Sequence, residues 1–299
     1  MKRRMWFNLS QPTKKKALFQ AMGFFVLRLC VYFVLFILLL FVYDLLKKGG
    51  GVISWEFLTQ PPRRGMTEGG IFPAIVGTFL VTLITAFLAV PLGIFAAIYL
   101  NEYARQGRLT RLIRLSIRNL AGVPSIVYGL FGVILFVNVM SFGTSVLSAG
   151  LTLGLLTLPW TITASEEALK TVPNSFREGA LALGATKWQA IRTNVLPYAF
   201  PGMLTGAVLG LARAAGETAP IMFTGAAFYL PYLPRSLKDQ FMALPYHLYI
   251  MATQHHAIQQ VRPLAYGTAL VLLVLVLGLN LTAIIVRYRL RRRRQLAGW

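Results

Sequence analysis

The chain has 299 residues, of which 56% are hydrophobic and only 13% charged. Its mean hydropathy is +0.63, and Lys plus Arg outnumber Asp plus Glu by 30 to 9, a net charge of +21. A soluble domain is about 25% charged, so an ordinary soluble enzyme is excluded. The basic residues lie between long apolar runs, which points to a membrane rather than to nucleic acid. The single cysteine, Cys30, excludes an intrachain disulfide and a cysteine-based metal cluster.

Six segments are long and apolar enough to cross a bilayer: 24–46, 71–100, 120–140, 146–164, 199–223 and 264–286. The first is too long for a cleavable signal core and has no small-residue cleavage site after it, so it reads as a retained span. The second is overlong and carries Pro73 and Pro91 near its ends. Pro124 and Pro159 fall in the third and fourth spans, where neighbouring helices or water can satisfy the freed backbone groups. With the N-terminus inside, the internal segments hold 21 basic residues and the external loops 7. Both termini are therefore expected to be cytoplasmic. Arg291 to Arg294 read as a stop-transfer run in contact with anionic lipid. The organisation expected is an N-terminal part, 1–70, with the first span and external loop; a five-helix core, 71–290; and a basic cytoplasmic tail, 291–299.

The internal segment 165–197, SEEALKTVPNSFREGALALGATKWQAIRTNVLP, differs from the other loops. Ser165, Glu166 and Glu167 resemble a helix start. Asn174 and Ser175 can cap a second short helix, from about Phe176 to Leu183. Gly184 suits its C-terminus. Thr186 can cap the next helix, in which Trp188, Ile191 and Val195 recur at helical spacing until Pro197 ends it. The pattern is two short helices joined at a glycine corner. Two readings of it stand: a unit gripped by a partner, or an amphipathic helix on the lipid surface.

Glu178-Gly179-Ala180, three residues, Gly184, nine residues, Asn194, then Leu196-Pro197 resembles the EAA loop of ABC-importer permeases. The spacing matches throughout; Gly179 stands for an Ala and Asn194 for an apolar residue. The resemblance implies that the loop is the coupling helix that docks on a cytoplasmic ATPase subunit, with Glu178 and Gly184 fixing the docking geometry. Gly77 to Thr82 and Pro91-Leu92-Gly93 look like the start of the same permease core.

The fifth span contains Arg213 near its middle, with Glu217 four residues on and so one turn along the same face. An intramembrane charge is costly and needs a partner. Small residues Gly206, Gly210, Ala214 and Ala215 allow close helix approach. Arg213 offers a planar fork that suits an oxyanion, and Glu217 can brace it and limit how tightly an anion binds. A purely structural ion pair is the competing reading. Ala212 to Pro220, ARAAGETAP, resembles the signature of the phosphate-specific permeases, and its Gly-Glu-Thr-Ala-Pro ending resembles their PstA-type branch.

His247, His255 and His256 fall in the last external loop without a nearby carboxylate or cysteine, so a solvated or docking surface is expected there and no metal site. Trp160 and Trp188 fit an aromatic belt. No P-loop, Gly-x-Ser-x-Gly or His-Glu-x-x-His motif occurs, and no catalytic role is expected.

The resemblance implies an all-α integral membrane protein with six transmembrane helices and the MetI-like architecture of type I ABC importers. It implies inward movement of phosphate across the bacterial plasma membrane. Arg213, Glu217 and Thr218 would line the substrate pathway. Glu178, Gly179, Ala180, Gly184, Leu196 and Pro197 would couple to the ATPase. ATP and Mg would bind on the partner ATPase and no cofactor on this chain. The implied partners are a sibling permease, two copies of the ATPase, a periplasmic phosphate-binding protein and membrane lipid, with no nucleic acid. A permease for molybdate or sulfate and an ion-gradient-driven transporter are the alternatives, with a membrane scaffold behind them.

Overall fold

A computed structural model describes residues 14–296. Most of the N-terminal basic segment and the last three residues of the basic tail lie outside the described residues. The chain divides into two units, Met1–Lys48 and Gly49–Trp299. The first contains all but the last residue of helix α1, Lys14–Gly49, which is apolar on most sides between its basic ends, with Arg28 in its midst. Such a surface suits lipid rather than water.

The second unit begins with α2, Trp55–Thr59, whose first turn is capped by Ser54 accepting from the Phe57 N–H at 3.1 Å. A two-residue hairpin follows, β1 Pro62–Arg63 and β2 Glu68–Gly69. Helix α3, Phe72–Ile98, runs into a π-helical turn, Tyr99–Tyr103. Then come α4, Arg108–Leu120, and α5, Ser125–Gly132, which continues as a π-helical stretch, Val133–Val139. Helix α6, Val146–Lys170, starts at a Ser145 cap. Helices α7, Asn174–Ala182, and α8, Lys187–Ala190, form the internal corner. A π-helical turn, Ile191–Val195, joins α8 to α9, Leu196–Ala214. The chain ends with α10, Ala219–Thr224, α11, Leu244–Thr253, and α12, Ile258–Leu296. Five helical stretches are long and apolar enough to span a membrane, and the bent pair α4–α5 makes a sixth.

Helix α6 is the post of the bundle, and small residues bring its neighbours close. Along α9, Gly202, Gly206 and Gly210 recur every four residues and face α6. A Cβ on Gly202 would meet the Ala168 Cβ at 2.9 Å, one on Gly206 would overlap the Ala164 Cβ, and one on Gly210 would meet Thr157 at 3.1 Å. On the other side Gly93 of α3 lies against Thr161, and Gly150 and Gly154 of α6 lie against Ile84 and Leu88. Between membrane helices there is little hydrophobic drive, so such close approach gives the attraction. The threonines in this packing return their hydroxyls to their own helix: Thr157 to Leu153 O, Thr85 to Val81 O and Thr205 to Pro201 O, at 2.6–2.8 Å. These threonine hydroxyls are thereby paired against apolar neighbours, whereas the buried Ser165 Oγ of α6 has no partner among the described residues.

The structure departs from the sequence expectations at several helix ends. The third span's helix starts only at Ser125, after Pro124, and the internal segment before it forms α4, which meets α5 at 99°. Proline removes a donor and disfavours helix in the residue before it. No new helix starts at Ser165, because α6 continues unbroken to Lys170. Pro173 precedes α7, and neither Asn174 nor Ser175 caps it with a side chain. Pro197 does not end a helix: it sits at the start of α9, where a π-helical turn has absorbed the missing donor and the axis continues.

Loops gather at two separate ends. At one end the hairpin, the 141–145 turn and the 225–243 segment meet, with the Tyr229 hydroxyl donating to Pro62 O at 3.2 Å and Gln240 donating to Thr144 at 2.8 Å. At the other end the Tyr99–Tyr103 turn, α4, α7 and α8 meet. The close α6–α9 contact gives a direct test. Gly206→Val should destabilise the protein by about 1–3 kcal/mol through overpacking. Gly278→Ala, where an added Cβ meets nothing within 4 Å, should be neutral or better. Thermal unfolding in detergent reads both.

Candidate functional site

The fifth span breaks where its charges lie. Helix α9 stops at Ala214 and α10 starts at Ala219, so the expected continuous span does not form. Pro220 offers no N–H to extend the helix backwards, and Gly216 weakens the segment before it. Arg213 therefore stands in the last turn of α9, not mid-helix, where a cation meets the negative end of the helix dipole. Irregular backbone at membrane depth persists only inside protein or along a water-filled cavity.

Arg213 is held from two sides. Its guanidinium lies over the Trp160 ring of α6, 4.9 Å from the centroid. Its Nε reaches Glu217 Oε1 at 3.5 Å, the outer limit of a hydrogen bond. The Arg213 side chain is 51% exposed and that of Glu217 16%. Among the described residues neither Nη1 nor Nη2 of Arg213 has a hydrogen-bond partner. The outer fork of the guanidinium is open. Thr218 is half-buried at the start of α10. Trp160 of α6 forms Arg213's platform. Nothing in its spacing marked it.

The internal corner is built much as its residues imply. Gly184 has φ +81°, a left-handed conformation that any side chain would strain. Thr186 accepts from the Gln189 N–H at 3.3 Å, and the Gln189 side chain accepts from the Thr186 N–H at 2.7 Å. This capping box starts α8 immediately after the corner. Ala180, Ile191 and Val195 are buried, while Glu178, Gly179 and Gly184 are exposed. Leu196 is half-buried and Pro197 exposed. At the tip Leu183 is 91% exposed beside exposed Leu181 and Trp188. An apolar tip of this kind marks a contact surface. Asn194, which stands at a position that is apolar in the resembling loop, faces back to Phe176 O at 3.5 Å.

Two ion pairs behind this corner were not legible in the sequence. Arg177 of α7 reaches Glu102 at 2.7 Å, and Arg114 of α4 reaches Glu166 of α6 at 2.7 Å. Both join residues far apart in the chain.

At the opposite end two of the three histidines, His247 and His255, are not on a solvated surface. His247 is fully buried in α11, and His255 is buried with its Nε2–H donating to Gly65 O at 2.6 Å. His255 Nδ1 accepts from the Ala257 N–H at 3.1 Å, which fixes the neutral tautomer, and the exposed His256 ring stacks on it at 4.4 Å. The bond to Gly65 holds a turn in which Arg64, Gly65 and Met66 all have positive φ. Among the described residues no three His, Cys, Asp or Glu side chains converge as metal ligands.

Residues 89–295 match the family model for the binding-protein-dependent transport system inner membrane component. The chain is 34% identical over 185 residues to a probable ABC transporter permease, YqgI, of Bacillus subtilis, covering 62% of this chain and 63% of that one. It is 44% identical over 154 residues to the phosphate transport system permease protein PstA 1 of Mycobacterium tuberculosis, covering 52% and 50%. It is 33% identical over 215 residues to the phosphate transport system permease protein PstA of Haemophilus influenzae, covering 72% and 75%. The match thus spans half to just under two thirds of the first two relatives' length. Among solved structures, a chain of a bacterial ABC transporter involved in the import of alginate superposes with a TM-score of 0.65 at 16% identity, over 92% of this chain and 96% of that one. A chain of the MetNI methionine ABC transporter superposes at 0.59 and 18% identity, over 74% and 97%. At these identities the likeness is one of fold, and the fold is the MetI-like importer permease, an all-α multi-pass membrane architecture.

Burial lowers the His247 pKa to about 4. The unfolded chain therefore binds the proton first as pH falls. Stability present above about pH 6.5 is lost on acidification toward about pH 4, by an amount on the order of 3 kcal/mol. Among the described residues His247 Nδ1 has no hydrogen-bond partner. His247→Leu should flatten the fall in melting temperature between pH 7 and 4.5, and an unchanged slope would count against burial as its cause.

Proposed function

The chain belongs to the binding-protein-dependent transport system inner membrane component family, and from that premise we propose that it is the membrane-spanning subunit of an ATP-driven phosphate importer. The observation that carries the substrate is the open fork of Arg213 at a helix break. Glu217 takes one edge of the guanidinium and Trp160 one face. The remaining two N–H-bearing nitrogens match two oxygens of a tetrahedral oxyanion. Glu217 also repels an arriving anion, which keeps binding weak enough for release. Thr218 lies beside the same opening. The phosphate permeases among the relatives support phosphate over other oxyanions.

The 165–197 segment couples this path to a separate ATPase. Glu178, Gly179, Ala180, Gly184, Leu196 and Pro197 carry the spacing of the coupling loop, and the exposed Leu183 tip supplies apolar contact. ATP and Mg belong to two copies of that ATPase. A sibling permease completes the path, since one chain leaves Arg213 half-exposed. A periplasmic phosphate-binding protein docks on the end formed by the hairpin and the 225–243 segment. The excess of basic residues over the internal segments supports a cytoplasmic side for the α7–α8 end and both termini, in a bacterial inner membrane. ATP and the loaded binding protein then bias two global states of the path.

Arg213→Ala should lower phosphate uptake by about tenfold or more with normal assembly, because bonds from a charged fork are lost. Arg213→Lys, which keeps the charge but not the fork, should fall between. Normal uptake by well-expressed Arg213→Ala would reject the anion-path role, and equal competition by molybdate or sulfate would reject phosphate. Gly184→Val should impair uptake or ATPase co-purification; retention of both would remove the corner from the mechanism.

A further inference from the structure

The coupling corner has to be attached to the membrane helices by something stiff, and its own loops are short and exposed. One guanidinium supplies the attachment. Arg177 of α7 donates from Nε to both Glu102 oxygens at 3.2 and 3.1 Å, and from Nη2 to Glu102 Oε1 at 2.7 Å. The same side chain donates from Nη1 to Val172 O at 2.9 Å and from Nη2 to Leu169 O at 3.2 Å. These are carbonyls at and just beyond the C-terminus of α6. All three guanidinium nitrogens are engaged, and the group joins α7, the end of α6 and the end of α3.

Glu102 is equally committed. Its side chain is 5% exposed, and Asn101 donates to it at 2.8 Å. It belongs to the π-helical turn Tyr99–Tyr103. A second clasp lands on that same turn, where the Lys187 ammonium of α8 lies over the Tyr103 ring at 4.9 Å. Both short helices of the corner are thus tied to one five-residue segment at the end of α3. Turns of this kind interrupt helices mostly at functional sites. An ion pair this buried is costly to form and contributes little net stability. Its effect is geometric, since bidentate pairs fix orientation.

We propose that Glu102 and Arg177 form the strut that carries motion of the coupling corner into α3, with the Tyr99–Tyr103 turn as its receiver. They are positioning residues and touch no substrate. The inference rests on the proposed ATP-driven transport. It deepens that reading by naming where force enters the bundle: at α3 and the end of α6, whose packing against α9 leads to Arg213.

The test uses the assembled importer in vesicles. Glu102→Gln keeps the side-chain volume and removes the charge; Glu102→Asp keeps the charge. In Glu102→Gln the ATPase should still co-purify and hydrolyse ATP, while phosphate taken up per ATP falls about tenfold. Glu102→Asp should retain more. Wild-type uptake per ATP in Glu102→Gln, or loss of ATPase binding in step with uptake, would overturn the strut. A second readout needs no substrate. Spin labels at Ala182→Cys and Arg105→Cys, with Cys30→Ser, should give one narrow distance that broadens when Glu102→Gln is added. If the parent assembly takes up no phosphate, the transport reading fails and this distance still decides the strut; an unbroadened distance overturns it.

Discussion

Everything in this bundle depends on how closely α6 is approached by α3 and α9. Glycines at 93, 150, 154, 202, 206 and 210 remove the side chains that would hold these helices apart. In a bilayer that is the available source of helix attraction, since lipid and leucine are equally apolar. Because α6 is gripped on two sides, what it carries is held in register along its whole length. Trp160 stands under Arg213 in one stretch, Glu166 receives Arg114 further on, and the terminal carbonyls receive Arg177.

That register explains why charge is tolerated. Three of these ions sit where an element ends or breaks: the half-exposed Arg213 at the end of α9, buried Glu102 in a π-helical turn and buried Glu166 near the end of α6. Free backbone groups and neighbouring side chains are available there, and continuous apolar helix is not interrupted. At the break between α9 and α10 the N–H groups of Ala215, Gly216 and Glu217 turn back to the carbonyls of Leu211, Arg213 and Ala214. The presence of this break next to an open guanidinium fork is the observation on which the proposed pathway role rests.

Much of this was legible from residue spacing, and the failures have physical reasons. The corner at Gly184, the Thr186 cap and the Arg213–Glu217 pairing are local, set by residues within four positions of one another. Hydropathy located the spans but not their breaks, since the run through Ala215 to Thr218 stays apolar enough to read as helix despite Gly216 and Pro220. Pro197 carried the opposite lesson: a π-helical turn absorbed it. Trp160, Glu102 and Arg177 act across helices that pair only in the folded bundle, so no spacing rule links them. The histidines were misplaced for the same reason. Their loop folds into α11 and buries His247, although its composition reads as an irregular external segment.

The most direct measurement is phosphate uptake into vesicles holding this chain with its sibling permease, ATPase and binding protein, comparing ATP with a non-hydrolysable analogue inside. Uptake that needs hydrolysis and every partner is the expected result. Uptake that persists with the analogue, or without the ATPase, would contradict it and make the chain a gradient-driven transporter whose coupling loop couples nothing.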